Sequence, residues 1–379
     1  MSADLKSLTK EEIIALFVEK GYPAFRGKQV ATWLDKGCTS FNEMTDLPPK
    51  LREELQHQFV IPSVTVLQRW QSALDETTKY LFGLSDGESI ESVLMSYHHG
   101  WSQCLSTQVG CRMGCSFCAT GMGGLSRNLL PSEMMSQIET AQKDRGIRVS
   151  SVVLMGMGEP LDNYDNVLRF LHMLSEPSGV HIGMRHISLS TCGLVDGIYR
   201  LMEEKLQLTL SVSLHAPNNE IRSRLMPINR RWSVEDLLKA CREYAKVTGR
   251  RISFEYAMID GINDSDACAE ELAARLKGML CHVNLIPANA VDGASHRRSS
   301  QARLQQFSKI LERHGLTVTI RRTLGADINA SCGQLKRKHK DQERVGSVYH
   351  PFILQFLLMS LPLSLSYLKF SKRKNTSQN

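Results

Sequence analysis

Three cysteines stand close together in a short glycine-containing segment, VGCRMGCSFCATG. Cys111, Cys115 and Cys118 have the spacing Cys-x3-Cys-x2-Cys, and Cys104 lies seven residues before the first of them. Three thiolates on one loop can bind three irons of a four-iron, four-sulfur cluster, which leaves the fourth iron free to bind and reduce another molecule. Structural zinc sites are instead closed by four ligands, and Cys104 could supply the fourth. The loop alone therefore leaves two interpretations open, a redox-active cluster and a zinc site.

The composition is that of a folded protein from a reducing compartment. Of the 379 residues, 42% are hydrophobic, which is enough for a sizeable core. Ten cysteines without a secretory signal segment favour the cytoplasm. The small excess of basic over acidic residues, 46 against 39, permits an anionic partner. Five basic groups in the C-terminal half favour a surface that faces RNA or phosphate: Arg230–Arg231, Arg250–Arg251, Arg297–Arg298, Arg321–Arg322 and the run at 336–340.

The N-terminal part has the pattern of a small helical unit. Thr9 and Glu12 form a capping-box pattern before an amphipathic segment that stops near Gly21. Two further helices are predicted over AFRGKQVATWLDKG and PPKLREELQHQF. The segments that follow are rich in β-branched and aromatic residues and predict strands. We therefore expect a helical, RNA-binding-like domain at residues 1–62 and a β-extension at 63–102.

Strand-like and helix-like segments then alternate over residues 103–344. The alternation predicts an α/β fold, a parallel sheet that closes into a partial (β/α)6 barrel similar to a TIM barrel. In such barrels the chemistry lies at the carboxyl ends of the strands. Unusual residues fall at these ends: the cysteine loop after the first strand, Gly156–Pro160 after the second, Ser190 and Thr191 at the third, Ser213–His215 at the fourth, Asn289 at the sixth and Cys332 after the last. Their convergence predicts an active-site mouth.

Five segments together resemble one family. VGCRMGCSFCATG, LMGMGEPLDN, SLHAPNNEIRSRLMPIN, HVNLIP and DINASCGQL, within a resemblance that covers about 24–339, are similar to the RlmN/Cfr family of radical S-adenosylmethionine RNA adenosine methyltransferases. The resemblance implies one [4Fe-4S] cluster on Cys111, Cys115 and Cys118 and two S-adenosylmethionine molecules per turnover. Asn329 and Ser331 stand where the family more usually has aspartate and alanine, which leaves the local geometry of that loop open.

The implied reaction answers a chemical difficulty. Carbon 2 or carbon 8 of adenine is electron-poor and cannot take a methyl cation directly. By analogy with the family, the Cys332 thiolate first takes a methyl group from one S-adenosylmethionine. Reductive cleavage of a second one gives a radical that removes hydrogen from this methyl group, and the carbon adds to the ring. The resemblance makes Cys104 catalytic, because it resolves the protein–RNA crosslink by proton removal and disulfide formation with Cys332.

The other implied roles concern cofactor binding and proton transfer. Gly158 and Glu159 resemble the element that contacts the methionyl amino group, a natural partner for a carboxylate. Glu91 aligns with a proton acceptor of the family, although a lone carboxylate in a strand is usually only solvated. Ser190, Ser213, Leu214, His215 and Asn289 match positions that contact S-adenosylmethionine, with a structural strand histidine as the alternative for His215. The remaining cysteines are expected to be buried and without partners: Cys38, Cys192, Cys241, Cys268 and Cys281.

Pro160 makes the chain most similar to the branch that modifies carbon 2. We therefore expect an adenosine in the peptidyl-transferase centre of 23S rRNA as substrate, with a tRNA adenosine beside the anticodon as a second one. The base must leave its stack to enter the barrel. An electron donor such as a flavodoxin or ferredoxin is expected, with no stable protein partner and a monomeric state. Carbon-8 methylation, another radical branch such as a glycyl-radical activase, and a zinc-stabilised RNA-binding protein without catalysis are the alternatives.

The last segment, 345–379, is apolar and then basic and does not fit the family. Residues 345–368 carry no formal charge, and Lys369, Lys372 and Arg373 follow. The length could cross a bilayer, but Pro351 and Pro362 weaken that interpretation. A disordered appendage is the alternative.

Overall fold

The computed structural model describes residues 3–289 and 296–335. The predictions for the basic run at 336–340 and for the segment 345–379 lie outside the described residues. Within the described part of the chain, no helix combines the length and apolar character needed to cross a membrane.

Three helices form the N-terminal unit, at the places that the sequence predicts. The capping box that opens the first one is present, since the Thr9 amide donates to the Glu12 carboxylate at 2.8 Å and the Glu12 amide donates to the Thr9 hydroxyl at 3.3 Å. The helices bury a core of their own around Phe17, Val30 and Leu55. A short parallel pair of strands joins the two ends of the unit. The elements are β1 (Ala3–Asp4), α1 (Lys10–Glu19), α2 (Ala24–Asp35), α3 (Pro49–Gln58) and β2 (Phe59–Val60).

The N-terminal unit is fixed to the rest of the protein by buried polar contacts. The Ser132 hydroxyl donates to the Asp4 carboxylate at 2.7 Å. The Lys6 ammonium donates to the Ser136 hydroxyl at 2.9 Å and pairs with Glu139. Because buried charges are rarely tolerated without partners, these contacts define one orientation of the unit.

One ten-stranded sheet forms the main part of the molecule. Its first four strands pair antiparallel, and this β-extension joins the parallel strands through β6, which pairs parallel with β9. The remaining strands are parallel and follow chain order to β14. The predicted α/β fold class is confirmed. The strands of the sheet are β3 (Thr65–Gln71), β4 (Thr78–Gly83), β5 (Ser89–Tyr97), β6 (Gly100–Cys104), β9 (Val149–Leu154), β10 (Ile187–Thr191), β11 (Thr209–Ser213), β12 (Ile252–Met258), β13 (Cys281–Pro287) and β14 (Thr317–Ile320).

The first barrel strand is shorter than the sequence suggests. The apolar run 104–109 predicts one continuous strand, but β6 ends at Cys104. The chain then runs beside the residues that follow the neighbouring strand Val149–Leu154. There the Thr107 amide donates to the Met157 carbonyl at 2.8 Å. A Cβ on Gly156 would lie 2.5 Å from the Leu105 carbonyl oxygen, so this close approach requires glycine. Beyond it, β7 (Gln108–Gly110) pairs with β8 (Leu125–Asn128) in a separate hairpin that encloses the cysteine loop and α4 (Ala119–Met122).

Amphipathic helices follow the parallel strands and pack on the sheet. Their apolar sides contribute residues such as Phe170, Leu237 and Leu272 to the main core. Side-chain caps begin several of them, for example Ser233, whose hydroxyl accepts from the Asp236 amide at 3.1 Å. The helices are α5 (Pro131–Arg145), α6 (Tyr164–Ser175), α7 (Val195–Glu203), α8 (Asn219–Leu225), α9 (Val234–Thr248), α10 (Asp266–Leu276) and α11 (Gln301–Arg313).

The barrel is closed by a loop instead of by strand pairing. β14 and β3 are the two edges of the sheet. The loop after β14 nevertheless contacts the hairpin between β3 and β4, because the Asp327 carboxylate accepts from the Ser72 hydroxyl at 2.7 Å and from the Ala73 amide at 2.8 Å. The Gly325 amide donates to the Asp75 carboxylate at 3.0 Å. The loop that carries Cys332 therefore spans the gap between the two edges.

Candidate active site

A cavity of about 170 Å³ lies at the carboxyl ends of the parallel strands. The cysteine loop forms one wall, and the residues that end strands form the others. Ten of the residues to which the sequence analysis assigns metal binding, cofactor binding or catalysis line this cavity: Cys111, Cys115, Cys118, Gly158, Glu159, Ser190, Ser213, His215, Asn289 and Cys332. Leu214 does not, since its side chain is buried in the main core and its amide donates to the Glu255 carbonyl at 3.1 Å. A contact from Leu214 to a cofactor would require its main chain.

The cysteine loop is held by backbone hydrogen bonds at several points. The Cys111 amide donates to the Gly124 carbonyl at 2.9 Å, and the Ser116 amide donates to the Leu225 carbonyl at 2.9 Å. Gly110, with φ of 80°, could not be replaced without strain, because a Cβ there would lie 1.9 Å from the Gly124 oxygen. These contacts fix the path of the loop.

Burial raises the pKa of Cys111 to about 12 and places the pKa of Cys115 above its ordinary value. For both thiols the loss of solvation is the largest cause, and neighbouring anionic groups add to it. Without metal these thiols are therefore protonated at neutral pH. Metal binding must displace their protons, so assembly of the site is linked to pH.

The donor set fits an iron–sulfur cluster. Cys111, Cys115 and Cys118 line one cavity, and each carries one thiol donor. A [4Fe-4S] cluster uses thiolates in this way, one on each iron. These three residues would hold it.

Glu159 lies beneath the cysteine loop in a fixed orientation. Its carboxylate accepts from the Cys192 amide at 2.7 Å and from the Leu161 amide at 3.0 Å. Burial raises the pKa of Glu159, while these hydrogen bonds oppose the shift. Gly158 before it has φ of 107°, and a Cβ there would lie 2.7 Å from the Gln108 side chain. The turn after β9 therefore requires glycine at position 158, next to Glu159, which lines the cavity.

His215 is a neutral hydrogen-bond donor to the cavity. Its Nδ1 accepts from the Ala257 amide at 2.8 Å, so the ring hydrogen is on Nε2. Burial lowers the pKa of His215 to about 3. The backbone at His215 has φ of 54°, and the ring meets Phe117 of the cysteine loop edge to face at 4.8 Å. His215 is thus structural in its Nδ1 contact and open to a ligand at Nε2.

A second, smaller cavity of about 40 Å³ adjoins the first. Cys104 lines it together with Tyr97 and Arg321, and Cys332 lines both cavities. The Asn289 amide group donates to the Cys332 carbonyl at 3.0 Å. The next residue, Gly333, accepts from the Ala119 amide at 2.8 Å. Cys332 therefore stands between the wall formed by the cysteine loop and the cavity that contains Cys104.

The Cys104 thiol differs from the buried thiols of the cysteine loop in the neighbouring charge that affects its pKa, which is that of Cys332. Burial is the main cause that raises the pKa of Cys104 to about 12, and the charge of Cys332 is the second. The thiol of Cys104 is hence protonated at neutral pH. Its strand partner is Val93 on β5, which lines the same cavity.

Glu91 is buried, contrary to the usual behaviour of a lone strand carboxylate. The carboxylate lies 3.6 Å from the Lys79 ammonium, and Lys79 also donates to the Asn329 carbonyl at 3.3 Å. Glu91 is not among the described residues that line either cavity. Through Lys79 the ion pair is connected to the loop that carries Cys332, while the predicted proton-acceptor role of Glu91 stays a prediction.

Three functional candidates were missed in the sequence because their importance depends on long-range contacts. Arg321 lines both cavities beside Cys332, and Arg222 is fully buried next to the cysteine loop. Cys192, expected to be a core cysteine without partners, is buried but lines the first cavity, and its peptide group is bonded on both sides. The sequence signals were the position of Arg222 inside SLHAPNNEIRSRLMPIN and the position of Arg321 in the basic pair Arg321–Arg322 before DINASCGQL.

The described basic groups do not form a single surface. Arg230–Arg231, Arg297–Arg298 and Arg321–Arg322 follow strand ends on the cavity side. Arg250–Arg251 precedes β12, so it lies at the opposite end of the sheet, where Arg250 donates to the Leu208 carbonyl at 3.3 Å. An RNA-facing surface around the cavity would use only the first three.

Comparison with known proteins gives consistent relatives over nearly the whole chain. The Radical SAM superfamily matches residues 105–272, and the ribosomal RNA large subunit methyltransferase N-terminal domain matches residues 3–61. The chain is 53% identical to a probable dual-specificity RNA methyltransferase RlmN of Pelotomaculum thermopropionicum, over 88% of this chain and 92% of that protein. It is 49% identical to the protein of the same name from Alkaliphilus oremlandii, over 89% of this chain and 98% of that one.

A solved structure has the same architecture. It is the crystal structure of a radical SAM methyltransferase from Sphaerobacter thermophilus, with 45% sequence identity and a TM-score of 0.84. The match covers 88% of this chain and 99% of that one.

Proposed function

Because the chain belongs to the RlmN family of radical S-adenosylmethionine RNA methyltransferases, we propose that it methylates carbon 2 of adenosine through a methyl group carried on Cys332. The substrates are 23S rRNA in the peptidyl-transferase centre and a tRNA adenosine beside the anticodon, in keeping with the dual specificity named for its relatives. Family membership implies a [4Fe-4S] cluster and S-adenosylmethionine, and we propose two S-adenosylmethionine molecules per turnover.

The position of Cys332 carries the proposal. Its side chain lines both the cavity of the cysteine loop and the cavity of Cys104. When bound, the cluster and S-adenosylmethionine supply the methyl group and the radical chemistry that activates it. Cys332 holds the methyl carbon as a thioether between the two cavities, so the carbon needs only local movement to reach a base that enters beside Cys332.

The second cavity contains the Cys104 thiol, which we propose for release of the product. Once the carbon on Cys332 is bonded to the adenine ring, the bond from that carbon to sulfur must break. Attack by the Cys104 thiolate on the Cys332 sulfur forms a disulfide and leaves the electron pair on carbon, which takes up a proton to become the methyl group of the released RNA. Because burial raises the pKa of Cys104 to about 12, its thiol must lose a proton to a base before it attacks.

Cofactor contacts are proposed from the walls of the first cavity. Gly158 and Glu159 face the methionyl amino group, and His215 donates from Nε2. Ser190, Ser213, Asn289 and the main chain of Leu214 complete the set.

The test is mass spectrometry of rRNA and tRNA nucleosides from cells with and without the protein, with 2-methyladenosine resolved from 8-methyladenosine. We expect 2-methyladenosine in both RNAs, lost with Cys332→Ala. Cys104→Ala should accumulate a covalent protein–RNA species at Cys332. Appearance of 8-methyladenosine would overturn the choice of carbon, and ordinary turnover by Cys104→Ala would overturn the resolving role.

A further inference from the structure

Arg222 on α8 is a buried cation held by neutral hydrogen-bond acceptors. Its side chain is fully buried, and among the residues that the structure describes it forms no ion pair. A charge taken out of water costs several kcal/mol unless an opposite charge compensates it. Burial accordingly lowers the pKa of Arg222. A side chain in this position requires an explanation.

The hydrogen bonds of Arg222 satisfy its donors but do not neutralise it. The guanidinium donates to the Cys192 carbonyl at 2.6 Å and to the Ser213 and Leu214 carbonyls at 3.2 Å each. A fourth bond reaches the Asn229 side-chain oxygen at 3.2 Å. All four acceptors are neutral oxygens. The residue therefore ties the ends of β10 and β11 together while its positive charge remains uncompensated.

The helix that carries Arg222 contacts the cysteine loop. The last residue of α8, Leu225, accepts from the Ser116 amide at 2.9 Å. Cys115 packs in the same apolar cluster as Leu225 and Met226. Arg222 also donates to the carbonyl of Cys192, and Cys192 lines the same cavity as Cys115. The surroundings are apolar, which keeps the interaction strong.

We propose that the anionic iron–sulfur cluster is the missing counter-charge of Arg222, and that Arg222 raises the reduction potential of this cluster. Three thiolates outweigh the positive charge of the cluster core, and one-electron reduction adds a further negative charge. A buried cation beside the loop therefore stabilises the reduced state more than the oxidised one. Arg222 is a positioning residue with an electrostatic role.

The proposal rests on the cluster that family membership implies and does not depend on the RNA substrate. Failure of the proposed carbon-2 chemistry would leave it intact. Its failure would leave the methylation results unchanged, because the two are measured separately.

The test is a redox titration of the reconstituted full chain with dithionite, followed by the electron paramagnetic resonance signal of the reduced cluster. We expect Arg222→Gln to lower the ratio of reduced to oxidised cluster at a fixed potential about tenfold, which is a shift of about 59 mV for one electron. Arg224→Gln is the matched control, since Arg224 is exposed on the same helix and should leave the ratio unchanged. A parent-like ratio in Arg222→Gln overturns the proposal.

Arg222→Lys separates the effect of the positive charge from the effect of the hydrogen bonds. It also tests the proposal if Arg222→Gln takes up no iron. Lysine keeps the positive charge but cannot make the same four bonds. Iron content and a reduced-to-oxidised ratio within about threefold of the parent support the proposal, even if the variant unfolds at a lower temperature. A cluster that loads in Arg222→Lys but shows the full tenfold loss, or no loading in Arg222→Lys either, shows that bonding geometry matters and overturns it.

Discussion

The two sets of reactive cysteines are built in opposite ways. Cys111, Cys115 and Cys118 come from one short loop whose shape is fixed by nearby backbone bonds. Cys104 and Cys332 come from the first parallel strand and from the loop after the last one, and the whole curled sheet brings them to one cavity. The proposed metal-binding loop can thus be encoded by local spacing, whereas the proposed catalytic pair depends on the complete fold.

Cysteine substitutions should separate the two sets most strongly. Cys118→Ala is expected to lose both iron and methylation, because three thiolates are needed for the cluster. Cys332→Ala should keep parent-like iron and sulfide while methylation falls by about a thousandfold or more. Iron analysis and an RNA methylation assay on the same anaerobic preparations measure both. Loss of iron from Cys332→Ala would contradict the division between the two sets.

Substitution of Glu91 tests how the loop that carries Cys332, one member of the proposed catalytic pair, is supported. If Glu91 supports the Cys332 loop through Lys79, Glu91→Gln should lower the free energy of unfolding by about 3 kcal/mol, because the buried Lys79 ammonium loses its anionic partner. Methylation should then fall by tenfold at most. The double variant Lys79→Met/Glu91→Gln should recover most of the stability. A hundredfold loss of methylation in a stable double variant would instead favour the proton-acceptor role. Urea unfolding and single-turnover methylation distinguish these outcomes.

Two glycines test the local character of the cysteine loop. Gly110→Ala places a Cβ 1.9 Å from the Gly124 oxygen, whereas Gly124→Ala meets nothing within 4 Å, and both residues have positive φ. We expect Gly124→Ala to cost about 1 kcal/mol of unfolding free energy and Gly110→Ala at least about 2 kcal/mol more. Equal losses of stability and iron in the two variants would show that the close approach is not a constraint.

His215 should give the smallest effect, a change in the pH dependence of stability. Its pKa is about 3 in the folded protein and 6.5 ordinarily, so the unfolded chain binds more protons between these values. The contribution of His215 to the free energy of unfolding is therefore complete above pH 6.5. It is lost as the pH falls from 6.5 towards 3, by up to about 1.4 kcal/mol per pH unit. Unfolding of the parent and of His215→Asn at pH 7.5 and 5.5 measures the difference, with a shallower slope expected in the variant. Parallel slopes would rule out a titrating His215.

The sequence predicts features that depend on near neighbours. The Thr9–Glu12 capping box and the three N-terminal helices are confirmed, because caps and helical periodicity are local. The α/β fold also follows from an alternation that is visible in the chain. Strand-end residues converge for the same reason, since parallel strands share one carboxyl edge.

What the sequence does not reveal depends on distant contacts. An arginine in a helix is usually exposed, and nothing local predicts that Arg222 would be buried against four oxygens from three segments. The pairing of Lys79 with Glu91 likewise requires the register of β4 against β5. The early end of β6 depends on the close approach of Gly156, which belongs to a different strand unit.

The loop that closes the barrel sets the conditions for access to the second cavity. Ser72, Asp75 and Asp327 hold it by side-chain hydrogen bonds, without a ladder of strand pairing. Such bonds break singly and at low cost, while a strand pair separates only cooperatively. The width of the entrance beside Cys332 can therefore vary without any change in strand order, and a large RNA can be admitted by a fold whose core stays rigid.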